Sequence, residues 1–172
     1  MKSLLLTICL ASLPLYAQQG PQDLHPFFSP NRGCTQAIVD LLNGAKNQVL
    51  VQAYSFTSAP IARALVDAKH RGVDVQVILD KSQRGERYSS ATFLANEGVP
   101  TYIDPVHKIA HNKVMVIDGQ TVITGSFNFT KSAEEGNAEN LLVINNAPEL
   151  AQRYVQNWKD HLGHSEPYLP RN

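Results

Sequence analysis

His111 and Lys113 stand two residues apart in the stretch HNKVMVIDGQTVITGSFN, and Asp118, Gly125, Ser126 and Asn128 follow at fixed offsets. The residues between them are mostly apolar and β-branched, the composition of a buried strand. On a strand, residues i and i+2 share a face, so His111 and Lys113 point the same way, and Ser126 and Asn128 repeat that spacing. Pairing the two segments brings all four side chains onto one patch, and Gly125 lets backbone or substrate approach closely. An imidazole, an ammonium, a hydroxyl and an amide together suit an anionic tetrahedral group such as phosphate. Each residue alone also has a plain structural reading. A strand histidine is commonly a satisfied core or surface residue, a lysine is commonly solvated, and Asp118 before Gly119 could be turn chemistry or part of the site. Six specified types at these offsets arise by chance on the order of 10⁻⁸ per start position, which sets the combined structural reading aside.

The elements that must position this patch are legible from periodicity. Apolar residues recur at helical spacing from Cys34 to Ala45, and QVLVQAY (48–54) is a strand. Ser58 offers an N-cap with Pro60 in the first turn, Ile61, Ala64, Leu65 and Ala68 form an apolar stripe, and Gly72 ends that helix. VDVQVIL (73–79) alternates as a strand, 88–98 is a short helix, and VPTYI is another strand. KVMVID and QTVITG flank Asp118-Gly119, a strong hairpin signal. NLLVIN (140–145) is a further strand, and residues 147–163 close the chain as an amphipathic helix. This order predicts an α/β fold: a mixed, mostly parallel β-sheet with helices on both faces.

The chain has 172 residues, enough for one domain with a real core, and 15 Lys+Arg balance 15 Asp+Glu. Global charge gives no support for nucleic-acid binding, so only a local patch could supply it. Residues 1–17 are expected to be a signal peptide: Lys2, an apolar run from Leu4 to Leu15, then Ala17 before polar QQG. That run is about a dozen residues, short of the ~20 that span a bilayer, so cleavage and a periplasmic or secreted location are preferred over an uncleaved anchor. Residues 18–30 are expected as an extended lead-in, and 31–172 as the functional domain. Removing the leader leaves Cys34 as a lone thiol, either buried and quiet or forming an intermolecular bridge.

The pattern H-x-K-x₄-D-x₆-G-S-x-N, from His111 to Asn128, resembles the signature of the phospholipase D superfamily without a departure. From about residue 31 to 163, the chain is similar to small secreted bacterial endonucleases of the Nuc type, including GSFNFT and ENLLVIN. The resemblance implies a phospholipase D-like fold, no metal and no cofactor. It further implies that His111 attacks phosphorus to form a phosphohistidine, while a second histidine protonates the leaving oxygen and then activates water. Lys113 and Asn128 would hold the non-bridging oxygens with help from Ser126. Glu139 matches an acidic residue that orients the nucleophile; a loop glutamate beside Glu134 and Glu135 is the plain alternative.

Two-motif relatives carry a second histidine in a second copy, which this chain lacks. His161 and His164 have no following lysine at the right spacing, and His107 precedes Lys108 directly. A homodimer sharing one site between two His111 side chains resolves the shortage. A metal set drawn from Asp104, His107, His111 and Asp118 is disfavoured, because Lys113 opposes a cation and no familiar metal spacing appears. Lys81, Arg84 and Arg87, with His107, Lys108 and Lys131, could guide a polyanion or simply be solvated charges. The favoured function is a metal-independent phosphodiesterase cutting DNA, and RNA as a further substrate. The alternatives are a phospholipase D acting on phosphatidylcholine-type lipids, for which Phe27-Phe28 and Phe127/Phe129 leave apolar surface, and a catalytically silent nucleic-acid-binding dimer.

Overall fold

The computed structural model describes residues 22–170, so the expected signal peptide lies outside the described residues. Its elements in chain order are β1 (Asp23–Phe28), α1 (Cys34–Gly44), β2 (Gln48–Ala53), α2 (Ala59–His70), β3 (Asp74–Asp80), a 3₁₀ turn (Lys81–Arg84), α3 (Ala91–Asn96) and β4 (Thr101–Asp104). Then follow β5 (Lys113–Ile117), β6 (Thr121–Gly125), α4 (Lys131–Glu135), β7 (Asn140–Asn145), α5 (Pro148–Leu162) and β8 (Glu166–Pro167). One open sheet runs β1-β7-β6-β5-β2-β3-β4-β8.

The mixed α/β architecture is as the periodicity predicts, but the sheet is not mostly parallel. Only β2–β3 and β3–β4 are parallel pairs. The β5–β6 hairpin and β7 run antiparallel, and β2 meets β5 antiparallel at the middle of the sheet. The helical crossovers through α2 and α3 return the chain to the same end of the sheet directly beside the strand it left, which is what parallel pairing of neighbours needs. The extended lead-in is also more than a linker. Asp23–Phe28 pairs antiparallel with the whole of β7 as an edge strand.

Alternation along the central strands divides the core in two, as period 2 requires. Val49, Val51, Val75, Val77, Leu79, Met115 and Val143 face α1, α2 and α3, where Ile38, Leu42, Ile61, Leu65 and Leu94 are fully buried. Leu50, Ile78, Val116, Val122 and Ile144 face the other way, beneath α5. Trp158 anchors that helix, donating its indole N–H to the Val51 carbonyl at 2.9 Å. Ser58 occupies the N-cap of α2 with Pro60 in its first turn, although its hydroxyl makes no capping bond. Cys34 is wholly buried at the start of α1, and burial, with Glu134 nearby, pushes its thiol up to about 11. The quiet-thiol reading therefore holds, and the intermolecular bridge does not.

Candidate active site

β5 begins beside the end of β2, and the chain entering β5 carries His111. The backbone N–H of Tyr54 donates to the Asn112 carbonyl at 2.8 Å, extending the pairing beyond both strands. His111 is exposed and its ring lies 4.7 Å from that of Tyr54, tilted by 52°. Lys113 opens β5 and is almost fully buried, with Nζ donating to the His111 carbonyl at 2.8 Å and lying 5.0 Å from the Tyr54 ring centre. Burial lowers its pKa, while the Glu139 carboxylate pulls the other way. An ammonium held this way is short of compensating charge, which favours an incoming anion.

The opposite wall comes from the end of β6 and the start of β7. Gly125 has φ +144°, and a Cβ there would lie 2.3 Å from the Asn140 carbonyl oxygen. That carbonyl accepts from both Ser126 N–H and Phe127 N–H at 3.1 Å, turning the chain sharply. Phe127 and Phe129 alternate with Ser126 and Asn128 and are completely buried, so the turn is anchored from below. They are not lipid-facing surface, as the lipid alternative had supposed. His111, Lys113, Gly125, Ser126, Asn128, Glu139 and Asn140 line one cleft of about 550 Å³. The Asn128 side-chain oxygen is buried without a hydrogen-bond partner.

Glu139 lines this cleft, but the hydrogen bonds to its carboxylate come from Ser126 Oγ at 2.6 Å and Asn137 Nδ2 at 3.1 Å. Its backbone is clamped by Ser29, whose N–H donates to the Glu139 carbonyl and whose Oγ accepts the Glu139 N–H. Asp118 lies elsewhere. It sits at the hairpin turn with φ 53°, at the far end of β5 from the cleft, about 17 Å of strand from Lys113. Its carboxylate accepts the backbone N–H groups of Lys46, Asn47 and Gln48. These bonds outweigh burial and lower its pKa. Asp118 thus buttresses the turn into β2 and does not line the cleft.

The basic loop is also mostly occupied. Lys81 Nζ donates to the His107 carbonyl at 2.8 Å, and Arg84 pairs with Glu166. Arg87 stays exposed, 5.5 Å from the ring of exposed Tyr88. Two positioning residues escaped sequence reasoning because nothing local marks them. Asp80 is buried and accepts the N–H of Ala110 at 2.7 Å, fixing the residue before His111, and Ser29 seats Glu139.

The remaining histidines are not among the residues that line the cleft. His25 pairs with Asp23, and His70 lies 3.9 Å from Glu97. His107, His161 and His164 converge on Asp104, whose carboxylate is fully buried. Burial opposes ionisation of Asp104, but hydrogen bonds from His161, His107 and two backbone N–H groups hold its pKa well below the usual carboxylate range. The metal set weighed from spacing is therefore not assembled. Asp104 and His107 meet His161 and His164, while His111 and Asp118 stay apart from them. The signal was the paired spacing D-x₂-H and H-x₂-H, in two places far apart in the chain.

Residues 38–162 match the family described as "Cardiolipin synthase, PLD-like domain". The chain belongs to the phospholipase D superfamily of phosphodiesterases. Nuc from Salmonella typhimurium, a phospholipase D family member of known structure, superposes with TM-score 0.83 at 38% identity, over 86% of this chain and 99% of that one. NucT from Helicobacter pylori gives 0.78 at 25% identity, covering 86% and 100%. A phospholipase D of Rickettsia bellii is 45% identical over 131 residues, 76% of this chain. The chain spans only 65% of the length of that relative. Within this superfamily fold the H-x-K pair and the G-S-x-N turn fall on facing walls of one cleft, as their spacing predicts.

Proposed function

We propose that the protein is a nucleic-acid phosphodiesterase working without a catalytic metal, at a site completed by a second copy of the chain. The observation that carries this reading is the placement of the six histidines. One, His111, lines the cleft; the other five are held at Asp23, Glu97 or Asp104. Double displacement needs a nucleophile and a separate acid, so the acid comes from the partner subunit's His111.

In the first step a His111 ring nitrogen forms a bond to phosphorus as the P–O bond to the leaving group breaks. The partner subunit's His111, as imidazolium, gives its proton to that oxygen. The same imidazole then takes a proton from water, whose oxygen attacks phosphorus and breaks the P–N bond. Lys113 and the Asn128 amide compensate charge on the non-bridging oxygens. Glu139, held by Ser126, lies where its carboxylate favours the imidazolium form of a facing histidine.

A nucleic-acid substrate is supported by the polar lining of the cleft and by the likeness to Nuc over nearly all of that chain. Exposed Arg87 beside Tyr88 adds a cation and a stacking face. The signal-peptide pattern expected at residues 1–17, outside the described residues, is the support for a periplasmic or secreted location. A lipid substrate is the second reading. It is favoured by relatives named phospholipase D and by exposed Val106 and Ile109 in the segment leading to His111.

The deciding experiment mixes wild-type and His111→Ala subunits, verifies exchange, and follows hydrolysis of plasmid DNA, RNA and phosphatidylcholine vesicles. Activity should fall with the square of the wild-type fraction. A linear fall means that one chain holds a complete site. Turnover of vesicles with none of DNA or RNA selects the lipid reading.

A further inference from the structure

Asp104 ends β4, and the chain turns immediately, so that Asp104 Oδ1 accepts the backbone N–H groups of Val106 and His107 at 3.1 and 3.4 Å. This turn folds the His107 ring back onto its own carboxylate. From the other direction, α5 ends at Leu162, and its last turn and the residues after it bring in His161 and His164. Asp104 Oδ2 is consequently faced by His107 Nδ1 at 2.8 Å, His161 Nδ1 at 2.8 Å and His164 Nε2 at 3.4 Å. A carboxylate oxygen has two lone pairs, so three imidazoles on one oxygen exceed what hydrogen bonding alone can satisfy.

The four ligand atoms lie within 4.8 Å of one another. A tetrahedral ion with bonds of about 2.0–2.1 Å needs ligand atoms roughly 3.3 Å apart, which falls between the shortest and longest separations here. Three imidazole nitrogens and one carboxylate oxygen suit a borderline cation such as Zn²⁺ rather than Ca²⁺ or Mg²⁺. The two backbone bonds to Oδ1 fix the carboxylate and leave Oδ2 as the single donor, the outer-shell support such sites need. Asp104 is fully buried, while the His107 and His164 side chains are 44% and 33% exposed, so an ion has an entry path. Lys81 Nζ is directed to the His107 carbonyl rather than into the cluster.

We infer that Asp104, His107, His161 and His164 form a binding site for one Zn²⁺-like divalent cation per chain, separate from the phosphodiesterase cleft. Its role is structural. His107 stands four residues before His111, on the segment that Asp80 holds through the N–H of Ala110. An ion would join the end of α5 to that segment, which otherwise rests on hydrogen bonds and exposed side chains. The four donors saturate a tetrahedral ion and leave no open position for substrate.

The test uses the full-length folded protein, stripped of metal with a chelator and dialysed. Zn²⁺ is titrated by calorimetry, and Co²⁺ serves as a spectroscopic probe of coordination. One ion per chain is expected, with tetrahedral d–d bands for Co²⁺ and a Tm raised by several degrees on Zn²⁺ addition. Affinity should weaken steeply as pH falls below about 6.5, because protons compete for the imidazoles. His164→Gln, at the most weakly held ligand, should keep the fold and lose at least ten-fold in affinity; His161→Gln should lose more. His111→Asn should bind Zn²⁺ as wild type does. The inference is overturned if wild type takes up less than a tenth of an equivalent with no change in Tm. It is equally overturned if both ligand variants bind as tightly as wild type, or if His111→Asn abolishes binding.

Discussion

Lys113 Nζ donates to the carbonyl oxygen of His111 at 2.8 Å, so the cation of the cleft also fixes the backbone that carries the proposed nucleophile. Removing either residue should stop hydrolysis by different routes. His111→Ala should abolish turnover while leaving circular dichroism and Tm close to wild type, since this side chain is exposed. Lys113→Ala should lose on the order of 10²–10³ in rate from the missing charge, and additional rate from the loosened segment. Wild-type turnover by a folded His111→Ala protein would remove the histidine from the mechanism.

Burial depresses Lys113 below its ordinary value of 10.5, which has two consequences of opposite sign. Between the folded-state pKa and 10.5 the unfolded chain holds one proton more than the folded one, so this group makes stability rise with pH in that window. Activity should fall over the same window, because the neutral amine no longer compensates phosphate charge. A pH–rate profile should therefore show an alkaline limb below 10.5. The stability advantage of Lys113→Met over wild type should shrink across that limb. An alkaline midpoint at or above 10.5 would contradict the burial argument.

Asp118 provides the complementary case. Its carboxylate, held below 3.8 by three backbone donors, contributes stability above the unfolded pKa that is lost as pH falls through the folded one. Asp118→Ala leaves those N–H groups without their acceptor and should cost on the order of 2 kcal/mol in denaturant unfolding at neutral pH. Its kcat, measured well below the lowered Tm, should stay within about two-fold of wild type, a change worth less than 0.5 kcal/mol. A hundred-fold loss of kcat in a folded variant would return Asp118 to the chemistry.

Gly125→Ala tests the cleft wall. The added Cβ would sit 2.3 Å from the Asn140 carbonyl oxygen at a backbone angle that L side chains rarely adopt. The chain must move, at a cost of about 1–3 kcal/mol, and Ser126 and Asn128 move with it. Activity should drop by more than the loss of stability accounts for, measured as kcat at a temperature where the variant remains folded. An active, equally stable variant would show that the turn tolerates displacement.

Much of this was legible in the chain. The H-x-K pair, the G-S-x-N turn, the hairpin at Asp118-Gly119 and the alternating β2 and β3 follow from local periodicity, because each depends on neighbours a few residues away. What stayed hidden depends on distant pairing. Nothing around Ser29 announces that it grips Glu139, and nothing around Asp80 announces Ala110. The strand direction was misjudged for the same reason. Alternation identifies a strand and its buried face but not the sense in which its partner runs. The role of Asp118 was ambiguous because a carboxylate before glycine serves turns and sites alike, and only its three backbone donors decide between them.

The pairing of β1 with β7 joins Asp23 to Asn145, so the sheet edge ties together two strands far apart in the chain. During synthesis the first strand has no partner until β7 emerges, and Ser29 cannot seat Glu139 before that moment. The cleft is therefore among the last features to mature. A growing chain that stops short of β7 carries His111 and Lys113 but lacks Glu139 and Asn140, so the cleft lining stays incomplete until β7 is made.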